Sequence, residues 1–154
     1  MSLSTEQQIE QQKKQQKKQQ IELKIQKGIR RFEDDLVKCI QSALDQKIYG
    51  NLEESQFRNV LRVAETTDSA EVVKNFLRYQ MGRDDKWGKG KDSLAEKIIN
   101  DIDRLIQDSK DIATKANATE PEKYKDIHIE LIRRYLGYGS RYLRYKKSLN
   151  KSSK

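Results

Sequence analysis

From Ile21 the apolar positions fall at Ile21, Ile25, Ile29, Phe32, Leu36, Ile40, Leu44 and Ile48, at steps of three and four. Those steps keep side chains on one face of a helix that turns about 100° per residue. The predicted helix is long, tolerates Gly28 and ends at Gly50. Asn51 followed by Glu54 reads as a cap residue and its return partner. It opens a helix over 52–66 whose core face is Phe57, Val60, Leu61 and Ala64. Asp68 with Glu71 repeats the signal for a third helix over 69–81, burying Val72, Val73, Phe76 and Leu77 and stopping at Gly82. The segment GRDDKWGKGK has three glycines and no periodicity, and is predicted as a loop. Ser93 with Glu96 starts a fourth helix along Leu94, Ile98, Ile102, Leu105, Ile106 and Ala113. Thr119 with Glu122, and Pro121 in the first turn, start the last one. No alternating β-pattern separates these signals. The expected fold is an all-α bundle of about five helices, with a long N-terminal helix and a basic, Tyr-rich C-terminal helix.

Ahead of the stripe, residues 7–20 repeat Gln-Gln-Lys-Lys with a period of four and, with Ile9 as the single apolar residue, offer no apolar face to bury. Gln and Lys are good helix formers, so residues 1–20 are expected to be a frayed or solvated helical extension, with disorder or a specific binding arm as the other readings. Residues 21–150 form the single bundle domain, and 151–154 a flexible tail.

Charge changes the picture. The chain of 154 residues has a formal net charge of +8, but residues 1–31 carry +5 and 122–154 carry +7, leaving the middle at −4. Basic ends around an acidic middle favour a polyanionic partner, and fit acidic protein faces less specifically. Cys39 is the only cysteine, which excludes an intramolecular disulfide and points to a reducing, cytoplasmic setting. No apolar run approaches the roughly 18 residues of a membrane span.

The last helix concentrates the basic character. After Glu130 come eight Lys or Arg residues and no acid. Arg133, Arg134, Arg141 and Arg144 fall within roughly a third of the helix circumference, with Gly137 in the middle of that sector. Tyr135, Tyr138, Tyr142 and Tyr145 lie opposite with Ile127 and Leu131. The expectation is an arginine stripe facing solvent and a tyrosine face toward the core, and arginine's planar fork suits phosphate. Arg58 and Arg62, four apart on the second helix, read as an added phosphate clamp or as a solvated face with an Arg62–Glu65 pair. Arg78 and Arg83 bracket a helix end, where cations also complement the dipole. Trp87, in a basic loop, is the candidate for stacking on an unpaired base, and folding back onto the bundle is its alternative.

No catalytic, cofactor or metal site emerges. With one His and one Cys, the usual zinc ligand set cannot be built. His128 sits among Ile127, Ile129 and Leu131 and is expected to pack. The acidic groups Glu33/Asp34/Asp35, Glu53/Glu54, Asp84/Asp85 and Asp101/Asp103 invite a magnesium reading, but most fall on polar faces or at caps. The expectation is a protein that is not an enzyme.

Three segments together, SQFRNVL (Ser55–Leu61), VVKNFLRYQMGRD (Val72–Asp84) and LIRRYLGYGSRYLRYKK (Leu131–Lys147), resemble the small helical subunit of type III CRISPR–Cas effector complexes of the Csm type. That family shows a serine-led helix, a helix ending in an aromatic and Gly-Arg, and a final aromatic-rich basic helix. The Gln/Lys leader and Gly137-Tyr138-Gly139 depart from the pattern. The resemblance implies a non-catalytic subunit for antiviral defence that stacks in copies, contacts other subunits of the ribonucleoprotein complex, and cradles the guide RNA–target RNA duplex. It makes Arg58, Arg78, Arg83, Arg133, Arg134 and Arg141 backbone contacts. The residues by themselves say basic, helical and sequence-indifferent, with a helical adaptor for acidic proteins as the alternative.

Overall fold

The computed structural model describes residues 4–152, with side chains as far as Asn150. Five helices follow one another: α1 (Thr5–Gln46), α2 (Glu54–Thr66), α3 (Ala70–Arg83), α4 (Leu94–Lys115) and α5 (Pro121–Ser152). No β-strand occurs among the described residues, and the fold is an all-α bundle. The Gln/Lys segment continues α1 as regular helix, capped by Ser4, whose hydroxyl accepts from Gln7 N–H while the Gln7 side chain accepts from Ser4 N–H. Residues 4–20 are exposed throughout. Of the expected 151–154 tail, Lys151 and Ser152 extend the α5 backbone; Ser153–Lys154 and Met1–Leu3 lie outside the described residues.

Several local expectations shift. The α2 cap is Glu53 with Gln56, two residues beyond the Asn51–Glu54 pair. The α3 cap is Ser69, whose hydroxyl accepts from Val72 N–H. Ser93 caps α4 as expected, accepting from Glu96 N–H. Ile48 belongs to the predicted apolar stripe but is 65 % exposed, because α1 ends at Gln46 and the chain turns extended there. Val72 is 46 % exposed, and the core face of α3 runs through Val73 and Leu77 instead.

α5 is the centre of the bundle, packing against α1, α2 and α4 and touching α3. Its contacts set the directions. Glu33 meets Arg134 and Asp45 meets Lys146, so α1 and α5 run parallel. Glu54 meets Arg144 while Ala64 meets Arg133, so α2 runs antiparallel to α5. Gly139 lies where α1 and α2 both approach: a Cβ there would come within 2.5 Å of Phe57 and 2.7 Å of Ile40. The core is continuous from Ile25 to Leu143, so the chain from Ile21 onward shares one apolar interior.

The expected loop after α3 is a docked strap. Ile48 N–H donates to the Asp92 carbonyl and Leu94 N–H to the Ile48 carbonyl, each at 3.0 Å. Gly50 N–H donates to the Lys86 carbonyl and Ala95 N–H to the Trp87 carbonyl. Gly88 makes this possible: its φ is +81°, and a Cβ would lie 2.3 Å from the Ile48 carbonyl oxygen.

Candidate nucleic-acid interface

Helix C-termini leave carbonyls without intrahelical donors. α3 and α4 carry Arg83 and Lys115 in their own last turns, but α1 and α2 have no basic residue there. α5 supplies both. Arg133 donates from Nε to the Ala64 carbonyl at 2.7 Å and from Nη2 to the Thr67 carbonyl at 3.0 Å. Lys146 donates to the Leu44 carbonyl at 3.1 Å and to Asp45 at 2.7 Å. These cations complete other helices.

The expected arginine stripe therefore divides. Arg133 also lies near Glu130 and Asp68, and its side chain is 27 % exposed. Arg134 is held between Glu130, at 2.9 Å, and Glu33 of α1. Arg144 pairs with Glu54 at 3.0 Å, and Lys147 with Glu53 at 3.1 Å. Arg141 is exposed and has no partner among the described residues, and Gly137 beside it has open space above its Cα. The sector does face outward, but its edges fold down onto α1 and α2. Of its four arginines, Arg141 is fully free and Arg144, 75 % exposed at its side chain, is partly so.

The antiparallel register brings the α2 candidates beside this sector. Glu54 bridges the two helices, accepting from Arg144 and lying 3.8 Å from Arg58. Arg62 is exposed and has no partner among the described residues, so the alternative of an Arg62–Glu65 pair is not what the fold makes. Arg58, Arg62, Arg141 and Arg144 thus share the outer side of one helix pair. Arg78 and Arg83 are exposed on α3, apart from that helix pair, and have no partner among the described residues.

Trp87 does not serve the surface. It is 1 % exposed, its ring 5.4 Å from Phe57, so the indole has no free face for a base. The strap hydrogen bonds hold it there, a long-range pairing that the glycine-rich local sequence does not announce.

The tyrosine face is graded. Tyr135 is buried and donates to Asp101 at 2.6 Å. Tyr142 donates to Asp45 at 2.8 Å, and Tyr145 is 55 % exposed. Asp101 departs from the polar-face expectation. It is 2 % exposed and accepts from Tyr135, Cys39 at 3.3 Å, Lys97 at 2.8 Å and Arg104. Burial pushes its carboxyl up, but donation from Lys97, Tyr135 and Arg104 prevails and holds it below the usual range. Burial, then Asp101 itself, pushes the Cys39 thiol up to about 11, which makes it a poor nucleophile. His128 is turned away to the Ile102 carbonyl at 2.7 Å, and burial lowers its pKa. Cys39 and His128 therefore bond to separate partners. Among the described residues no three His, Cys, Asp or Glu are grouped as metal ligands, and no helix is long and apolar enough to cross a membrane.

Searches with this chain match no protein-family model, no curated protein and no solved structure.

Proposed function

We propose that this protein is a non-catalytic RNA-binding subunit that grips the nucleic-acid backbone without reading its sequence. The observation that carries the reading is the α2–α5 face, where Arg62 and Arg141 stand exposed with no acceptor among the described residues, beside the partly engaged Arg58 and Arg144. A guanidinium in that state keeps its donors for a phosphate. Contacts of this kind position a strand and do not specify bases. The resemblance of Ser55–Leu61, Val72–Asp84 and Leu131–Lys147 to the small subunit of type III CRISPR–Cas complexes supplies the setting. In that setting the strand is the guide RNA–target RNA duplex and the partners are the other subunits of an antiviral effector.

The test is a salt titration of binding to RNAs of unrelated sequence. Affinity should be similar for all of them and fall steeply between about 50 and 200 mM salt, as neutralised phosphates release counterions. Arg62→Ala with Arg141→Ala should weaken all of them alike. Absence of RNA retention at low salt, or hydrolysis of RNA by the purified protein, would refute the reading.

A further inference from the structure

Among the described residues, cations with no protein partner are more numerous on α1 than on the α2–α5 face. At about 100° per residue, Lys13, Lys17, Lys24, Lys27 and Arg31 fall within about 80° of the α1 circumference. They extend over about 27 Å at 1.5 Å per residue. All five are exposed, and none has an ion pair or side-chain hydrogen bond among the described residues. The acid between them in sequence, Glu22, lies on another side of the helix, where it accepts from Gln26 at 3.1 Å. Glu10 before the series and Glu33, Asp34 and Asp35 after it are the nearest acids along α1, and Glu33 is turned to Arg134 of α5.

Beyond its first half this row borders α4. Lys24, Lys27 and Arg31 line a groove of about 290 Å³ with Lys115 on the opposite wall. Asp108 and Asp111 share that wall, so four cations face two carboxylates. Burial, then the neighbouring Asp111 and Asp35, raises the Asp108 pKa, the response of a carboxyl set among other acids. In its first half the row stands on the exposed arm, free to follow a backbone beyond the end of the bundle.

We propose that this row is a second phosphate-binding track, which seats a nucleic-acid backbone along the outside of α1. The proposal rests on the RNA-binding reading and adds to it a surface away from the α2–α5 pair. Charge decides the occupant. A protein partner would need buried aromatic or aliphatic anchors, and Gln16 and Gln20 are what lies between these cations on the arm. A membrane surface would need a continuous apolar face on the same helix. The exposed apolar side chains of α1 are Ile9 and Leu23, about 21 Å apart. Evenly spread point charges without anchors suit a polyanion contacted through its backbone.

The experiment compares the full-length protein with two variants by fluorescence anisotropy on a mixed-sequence single-stranded RNA, across a salt series. One variant changes Lys13, Lys17, Lys24, Lys27 and Arg31 to Gln, which keeps helix propensity. The other carries Arg62→Ala and Arg141→Ala. The track variant should lose at least tenfold in affinity at low salt. Its log K against log salt slope should flatten by about 3.5, at about 0.7 for each single-strand phosphate contact removed. Circular dichroism checks that it folds; if it does not, Lys13→Glu with Lys17→Glu, confined to the exposed arm, should still weaken binding. A folded track variant that binds like the wild type overturns the track, and if Arg62→Ala/Arg141→Ala then loses binding the RNA reading stands. A wild-type protein that binds no RNA, or binds only phosphatidylserine vesicles, overturns both.

Discussion

α1 and α5 both carry runs of cations, yet the two helices use them in opposite ways. On α5, Arg133 and Lys146 complete the C-termini of α2 and α1, while Arg134, Arg144 and Lys147 meet Glu33, Glu54 and Glu53. On α1, Lys13, Lys17, Lys24, Lys27 and Arg31 make no ion pair or side-chain hydrogen bond among the described residues. Position in the bundle explains the contrast. α5 packs against three other helices, so a long cationic side chain at the edge of its buried face finds a carbonyl or a carboxylate within reach. The outer side of α1 stands clear along the arm, and where α4 borders it the row makes no ion pair among the described residues. A basic helix at the centre of a bundle is structural first, and a basic helix at its rim is free to bind.

If that contrast is correct, the largest effect comes from the polar groups that tie α5 to its neighbours. Asp101→Asn should cost about 3 kcal/mol, because it removes the buried charge shared by Lys97, Arg104, Tyr135 and Cys39. Its folded pKa is below the unfolded value, so its contribution is complete above about pH 4 and is lost as pH falls through the folded value. Chemical denaturation over an acidic pH series should show the wild type losing this margin and the variant lacking it from the start. Equal stability at neutral pH would remove Asp101 from the framework.

Arg133→Ala set against Arg141→Ala sharpens the comparison within one helix. The first leaves the Ala64 and Thr67 carbonyls without their charged donor and should cost about 2 kcal/mol. The second should change stability by less than about 0.5 kcal/mol and weaken RNA binding instead. The division of the α5 stripe fails if urea midpoints show the two variants to be equally stable.

The smallest pair of effects separates the two glycines. Gly139→Ala places a Cβ against Phe57 and Ile40 and should destabilise by about 1–2 kcal/mol, overpacking outweighing the gain in helix propensity. Gly137→Ala meets open space and should be neutral or stabilise by up to about 1 kcal/mol. Thermal melts of opposite sign would support the outward orientation of Gly137; a loss at Gly137 as large as at Gly139 would contradict it.

Periodicity and caps were enough to place five helices, and the Ser93 cap and the Phe57–Val60–Ala64 face stand where the pattern puts them. The candidate site was legible only in part. Arg62 and Arg141 are free, but Arg133 and Arg134 are engaged, and Trp87 is walled in by a strap whose partner, Ile48, is distant in sequence. The proposed α1 track had a signal in the sequence, cations at 13, 17, 24, 27 and 31 on one helical face. The low-complexity leader and the denser arginines of α5 mask it.

The sequence by itself determined that the chain is helical, where α2, α3, α4 and α5 begin to within a few residues, and that both ends are basic. Those properties depend on neighbours within a turn or two, through side-chain spacing and local capping. Which cations remain available was decided only by the tertiary structure. The acceptor that engages Arg133 lies 69 residues away and the one that engages Arg134 lies 101 away. Lys146 reaches the end of α1 because α1 and α5 run parallel. No local pattern encodes those pairings, since a guanidinium or ammonium is free or engaged according to what the fold sets beside it.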